Sequence, residues 1–173
     1  MRKIIILTLA LCVLLANITF AAEKPNTAIL YYDNLNASAP TKIELKEYYL
    51  TKLTEKLSPS HNIIDGEYYI EKFKSMGIID LAATDRSKII PILQPDHIDY
   101  VVIIDMMPMI RKHYEWNSDK IIAYQHLKVI DVHNNRTIYN TRFAHGSRSA
   151  SAKKHVEELY KKSEEALLTV LPK

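Results

Sequence analysis

The sequence predicts a single α/β domain built on a mixed sheet of four or five strands, with elements in the order β-α-β-α-α-β-β-β-α. Two observations carry this prediction. Short runs of strand-forming residues, at 27–32 and 100–104, alternate with stretches of helical periodicity. The last stretch, 156–171, places its apolar residues on one helical face. No internal repeat or linker indicates a second domain.

Residues 1–21 predict a secretory signal peptide, which leaves 22–173 as the domain. Two basic residues precede an apolar run over 4–16, and Thr19 and Ala21 stand at the −3 and −1 positions of the expected cut. The run is shorter than the roughly 20 apolar residues of a spanning helix. We therefore expect an exported protein, periplasmic or extracellular, whose mature domain does not span a membrane; an uncleaved anchor is the alternative.

The first half of the domain predicts two strands and three helices. Residues 27–32 favour a strand, and Thr41 with Glu44 predicts a capping box that starts a helix ending at Ser58-Pro59. The expected buried face of this helix carries Ile43, Leu50, Leu53 and Leu57. A short strand at 63–64 follows. A helix over 67–76 comes next, with Tyr69, Phe73 and Met76 inward, and then a helix from about residue 84 that Pro91 bends or divides.

The second half predicts three strands and one helix. The apolar run 100–104 is typical of a central strand, and Pro108 marks a bulge or an edge. Residues 121–132 alternate as in a strand with one buried face. A turn at 133–136 leads into a strand over about 137–144. The final helix has the clearest apolar stripe of the chain: Val156, Leu159, Tyr160, Ser163, Leu167, Val170 and Leu171.

Composition excludes several kinds of chemistry. Cys12 is the one cysteine and lies in the leader, so the mature domain has no disulfide, thiol nucleophile or thiolate metal site. Three glycines cannot form a glycine-rich phosphate loop, and the seven histidines lack the usual ligand spacings. We therefore expect no cofactor, no metal and no enzymatic activity. A hydrolase using His145 and Ser147 is the less favoured alternative.

The charge of the mature domain is nearly balanced but unevenly distributed. It has 21 Lys and Arg against 20 Asp and Glu, which gives no reason to expect nucleic acid as a partner. Residues 136–173 hold 8 basic and 4 acidic residues, whereas 22–135 hold 13 and 16. The candidate binding residues are the four of its densest basic stretch, which suits an anionic surface: Arg142, Arg148, Lys153 and Lys154. A solvated loop and helix start is the alternative.

Two segments carry a resemblance to a known family. Residues 99–105 read DYVVIID, and residues 127–139 read LKVIDVHNNRTIY, a strand, an Asx turn and a strand. They resemble the small periplasmic α/β domain shared by the amino-terminal domain of TolB and by CsgG. This resemblance implies an envelope interaction or assembly module, whose partner is another envelope protein or an anionic envelope surface. A binding protein for an anionic small ligand or cell-wall polymer is the alternative. The sequence leaves the partner and the oligomeric state open.

Overall fold

A computed structural model of the chain describes residues 23–113 and 119–172. These residues form six strands and four helices in the predicted order. They are β1 (Asn26–Asp33), α1 (Ala39–Leu57), β2 (Asn62–Asp65), α2 (Glu67–Ser75), α3 (Arg86–Leu93), β3 (Tyr100–Met106), β4 (Ile110–Lys112), β5 (Lys120–Asp131), β6 (Arg136–Ser147) and α4 (Ala152–Val170). The predicted α/β class and element order are confirmed. The predicted signal peptide lies outside the described residues.

The six strands form one mixed sheet in the order β2-β1-β3-β5-β6, with β4 beside β5 in line with β3. β1 is parallel to β2 and β3, and β5 is antiparallel to its neighbours. The prediction of four or five strands did not include β4, which is the sixth strand of the sheet. Met106 pairs with Gln125 and Ile110 with Ile122 of β5. The three residues between Met106 and Ile110 therefore lie opposite only two residues of β5, and Pro108 lies in this bulge. The bulge expected at Pro108 is confirmed.

One face of the sheet is covered by α1 and α4, as the apolar stripes of these helices predicted. Leu53 and Leu167 are fully buried there. Two details of α1 differ from the prediction. Its N-cap is Ser38, whose hydroxyl bonds the Thr41 hydroxyl at 2.8 Å, so the capping box is wrong. Ile43 is 59% exposed, because the buried stripe runs along every fourth residue from Leu45 to Leu57.

The other face carries α2 and α3, whose buried residues include Phe73 and Leu93. These side chains pack on Leu30 and Ile103 of the two central strands. Met76, expected inside, is 58% exposed because α2 ends at Ser75 and the chain turns away at Gly77. α3 continues through Pro91 and is followed by a 3₁₀ turn over Gln94–Asp96. In the part of the chain that the structure describes, no helix combines the length and the apolar character needed to cross a membrane.

Candidate functional site

The helical cover of the sheet differs between the two faces. On the α2 and α3 face the cover reaches Lys128 and Ile130 of β5. The Lys128 amine is held there by the carbonyl oxygens of Leu81, Ala82 and Thr84. Beyond these residues, the side chains of β5 and β6 on this face are half-buried or exposed. We call them the open half-face: Ile122, Tyr124, His126, Asn140, Arg142 and Ala144.

Arg142 is the centre of the open half-face. Its guanidinium carbon lies 4.2 Å from the centroid of the Tyr124 ring on the neighbouring strand. Such a contact is worth about 0.5–1 kcal/mol at an exposed site and holds the side chain in place. Within residues 23–113 and 119–172 no carboxylate lies within ion-pair distance of this guanidinium. The Tyr124 ring thus orients a guanidinium that no described carboxylate neutralises.

The backbone of β6 adds an unpaired edge to this surface. The carbonyl oxygen of Tyr124 accepts from the Met107 amide at 3.0 Å, so the backbone groups of Tyr124 point away from β6. Ala144 stands opposite Tyr124, and its N–H and C=O therefore point to the outer edge. Because backbone direction alternates along a strand, Asn140, Arg142 and Gly146 also direct theirs outward. β6 pairs with β5 alone among the described strands.

Lys162 of α4 supports this assignment of the edge. Its amine donates to the Ala144 carbonyl oxygen at 2.6 Å. If the Ala144 carbonyl were hydrogen-bonded to β5, it would point toward β5 and away from the Lys162 amine. The same contact places a second positive charge at the edge, where lysine often prevents unwanted strand pairing.

The other predicted basic residues lie elsewhere. Lys153 and Lys154 are in the first turn of α4, which packs on the opposite face of the sheet from Arg142. Lys153 pairs with Glu44 of α1 at 3.6 Å, and Arg148 is exposed in the segment before α4. The structure therefore does not gather the four candidates on one surface, and Arg142 alone belongs to the open half-face.

His145 and His155 form a contact between β6 and α4 that sequence reasoning did not anticipate. Their Nδ1 atoms are 2.9 Å apart, so one ring donates and the other accepts. His155 is fully buried, its Nε2 has no hydrogen-bond partner among the described residues, and burial lowers its pKa. His145 thus bonds a histidine, and the Ser147 hydroxyl accepts from the Ser149 amide at 3.4 Å. The arrangement that a serine hydrolase would use is not formed by these residues.

Sequence reasoning also did not anticipate a buried group of three polar side chains. The amide of Gln125 donates to the Tyr49 hydroxyl at 2.9 Å and to the Ser163 hydroxyl at 2.5 Å, and all three residues are buried. Their partners are far apart in the sequence, but a signal exists. Gln125 interrupts the apolar face of its strand, and Ser163 lies inside the apolar stripe of α4. Two polar interruptions on facing elements indicate a buried pair.

A small cavity of about 170 Å³ lies where β1 and β3 end, in the position where open α/β sheets bind ligands. Tyr32, Asn34, Asp80 and Asp105 line it. Asn34 donates to Asp105 at 2.8 Å, and burial raises the pKa of that carboxyl. The other carboxylate of a neighbouring strand, Asp131, pairs with Tyr100 at the opposite end of β3 and does not reach this cavity. A metal site was not found: no group of three or more His, Cys, Asp or Glu suited to an ion occurs among the described residues.

Comparison with known proteins gives similarity at the level of fold. No protein-family model matches the chain, and no curated protein matches it. The chain is similar to the structure of the hypothetical protein CT253 from Chlamydia trachomatis, at 13% identity and a TM-score of 0.57, over 85% of this chain and 97% of that one. This likeness shows that the α/β fold is one already found in a bacterial protein.

Two further structures are similar at lower scores. Lipoprotein GNA1162 from Neisseria meningitidis has 12% identity and a TM-score of 0.48, over 84% of this chain and 99% of that one. TolB from Acinetobacter baumannii has 12% identity and a TM-score of 0.42, over 86% of this chain and 28% of that one. A lipoprotein and a TolB protein are thus among the solved structures similar to this chain. The resemblance to CsgG stays a prediction.

Proposed function

We propose that the chain is an exported, non-catalytic module of the cell envelope that works by binding another envelope protein. The observation that carries the proposal is the open half-face, where the Arg142 guanidinium, oriented by Tyr124, adjoins the outer edge of β6; among the described residues, neither the guanidinium has a carboxylate partner nor the edge a second strand. Arg and Tyr are enriched in protein interfaces because both combine apolar area with hydrogen-bonding groups. The export component rests on the predicted leader.

The alternative of an anionic small ligand or cell-wall polymer has less support. It requires Arg142, Arg148, Lys153 and Lys154 to act together, and α4 places its two lysines on the other side of the sheet. The cavity at the end of β3 is lined by two carboxylates, which repel an anion.

Photo-crosslinking in intact cells tests the proposal directly. A photoreactive phenylalanine analogue is placed at Asn140, which is exposed on the open half-face, or at Ile43, which is 59% exposed on α1. We expect the first position to capture one defined envelope protein and the control position not to capture it. Equal capture from both positions, or none from Asn140, would refute the proposed surface.

Single substitutions then separate the basic residues. Arg142→Ala should weaken capture of the same partner, whereas Lys153→Ala and Lys154→Ala should leave it unchanged. Added salt should also weaken it, because exposed charges are screened over about 8 Å at physiological ionic strength. A hydrolytic activity that disappears on substitution of His145 or Ser147 would overturn the non-catalytic part of the proposal.

A further inference from the structure

We infer that β6 binds an extended, acidic segment of the partner as an additional antiparallel or parallel strand of the sheet. The inference rests on the proposed function and specifies how the open half-face is used. An edge strand offers a row of backbone donors and acceptors that an extended peptide can complete. The outward backbone groups of β6 extend from Asn140 to Gly146, a length of about 20 Å at 3.4 Å per residue.

The charges along β6 determine the chemistry of the segment. β6 contains two arginines and neither Asp nor Glu, and the Lys162 amine adds a positive charge at the Ala144 carbonyl. Arg136 is already paired with Asp131 at 3.2 Å, which leaves Arg142 and Lys162 for the partner. A carboxylate on the added strand opposite Arg142 would complete a cross-strand ion pair. It would also draw the Lys162 amine away from the carbonyl that it now caps.

The two faces of β6 also indicate the pattern of the segment. On the α4 face, Tyr139 and Phe143 are half-buried and pack against the core. An added strand would place alternate side chains beside them, where apolar groups gain from burial. The other alternate side chains would extend the open half-face beside Arg142. The expected ligand therefore alternates apolar and acidic residues.

A second copy of this chain is a poor occupant of the edge. Pairing β6 with another β6 would bring the Arg142 and Lys162 charges of both copies together, and like charges across a strand pair are destabilising. The charges thus favour a different, acidic protein.

The test uses the exported protein and two short peptides, one alternating valine with glutamate and one alternating valine with lysine. Binding is measured by fluorescence anisotropy and located by amide hydrogen exchange. We expect the glutamate peptide to bind about tenfold more tightly or better. We also expect the Asn140, Arg142, Ala144 and Gly146 amides to gain protection. Equal binding of the two peptides, no binding, or protection elsewhere would overturn the inference.

Two variants separate strand addition from general attraction of charge. Ala144→Pro removes an outward N–H without touching the β5 ladder and should abolish binding, whereas Ala144→Val keeps the N–H and should bind at least about tenfold more tightly than Ala144→Pro. If Ala144→Pro does not fold, Arg142→Glu provides the second measurement, since it should shift the preference toward the lysine peptide. Ala144→Pro binding as tightly as Ala144→Val, or an unchanged preference in Arg142→Glu, would contradict strand addition.

The outcomes also distinguish this inference from the proposed function. If the analogue at Asn140 captures a partner but the glutamate peptide does not bind, the proposed envelope module is supported and only strand addition is refuted. If the glutamate peptide binds but no partner is captured in cells, the proposed function is refuted and the ability of β6 to bind a strand is supported.

Discussion

The three glycines of the chain should respond very differently to replacement by alanine, and Gly66 should respond most. Gly66 follows β2 and lies against the backbone of β1. A Cβ atom there would be 2.0 Å from the carbonyl oxygen of Ile29 and 2.6 Å from its carbonyl carbon. Real Cβ contacts are essentially never under 3.0 Å, so the two backbones must separate by about 1 Å.

The obstacle at Gly66 cannot move aside easily. Ile29 is paired with Asp65 on one side and with Val102 on the other, in the middle of the sheet. Separation would break the end of the β1–β2 pairing and disturb the packing of α2 on β1. Because overpacking of a rigid site costs 1–3 kcal/mol and sometimes more, we expect Gly66→Ala to lower the free energy of unfolding by about 3 kcal/mol or more.

The other two glycines serve as matched controls. Gly77 has a φ of +75° and no atom within 4 Å of an added Cβ, so alanine there adds only backbone strain of about 1 kcal/mol. At Gly146 the added Cβ meets Ile122 at 3.5 Å, an ordinary contact, and the free energy of unfolding should change by less than about 1 kcal/mol. Chemical denaturation of the three variants measures the order. The reasoning is refuted if the free energy of unfolding of Gly66→Ala is within about 1 kcal/mol of the parent's. It is also refuted if Gly66→Ala is no less stable than the two control variants.

The remaining predictions concern the core, acid stability and export. Leu53→Ala and Leu167→Ala should each lower the free energy of unfolding by about 2–5 kcal/mol, because both side chains are fully buried. Leu168→Ala should lower it much less, because Leu168 is 40% exposed. Urea unfolding measures the three losses, and near-equal losses would contradict the assigned core. The folded state resists protonation of His155, since burial lowers its pKa, and the unfolded chain takes up a proton near pH 6.5. The melting temperature should therefore fall as the pH drops below about 6.5, and His155→Gln should reduce that fall; an unchanged slope would exclude His155 as its source. Intact mass of protein from envelope fractions should correspond to a chain beginning near Ala22, and retention of the initiating methionine would refute cleavage.

The sequence predicted those elements whose pattern arises within the element itself. The apolar stripe of α4 identified Leu159 and Leu167 as core residues, and the continuous apolar run of β3 indicated a central strand. Pro108 also indicated its bulge, because proline cannot donate to a ladder. These features depend on residues a few positions apart.

What the sequence did not predict depends on residues far apart. Ile43 fits a helical stripe, but which face of α1 is buried is decided by α4 and β5. Arg142 is exposed, but its stacking on Tyr124 and its separation from Lys153 follow from strand register and sheet faces, which the sequence does not show. The outward direction of the Ala144 backbone likewise requires the pairing of β5 with its other neighbour. Local patterns carry none of this information.

In the proposed export the chain enters its compartment amino terminus first, and the topology of the sheet then has a kinetic consequence. β5 and β6 are joined by residues 132–135 and can pair as soon as both exist, whereas β1 must wait for β3, since Thr27 pairs with Tyr100. Contacts between residues close in sequence form faster than contacts that close a long loop. We therefore expect β5 and β6 to pair quickly once both are present, and the pairing of β1 with β3, which closes a long loop, to be slower. The first strand to emerge can pair with β2 on one side but must wait for β3 on the other, so the domain cannot complete its sheet until most of its length has arrived.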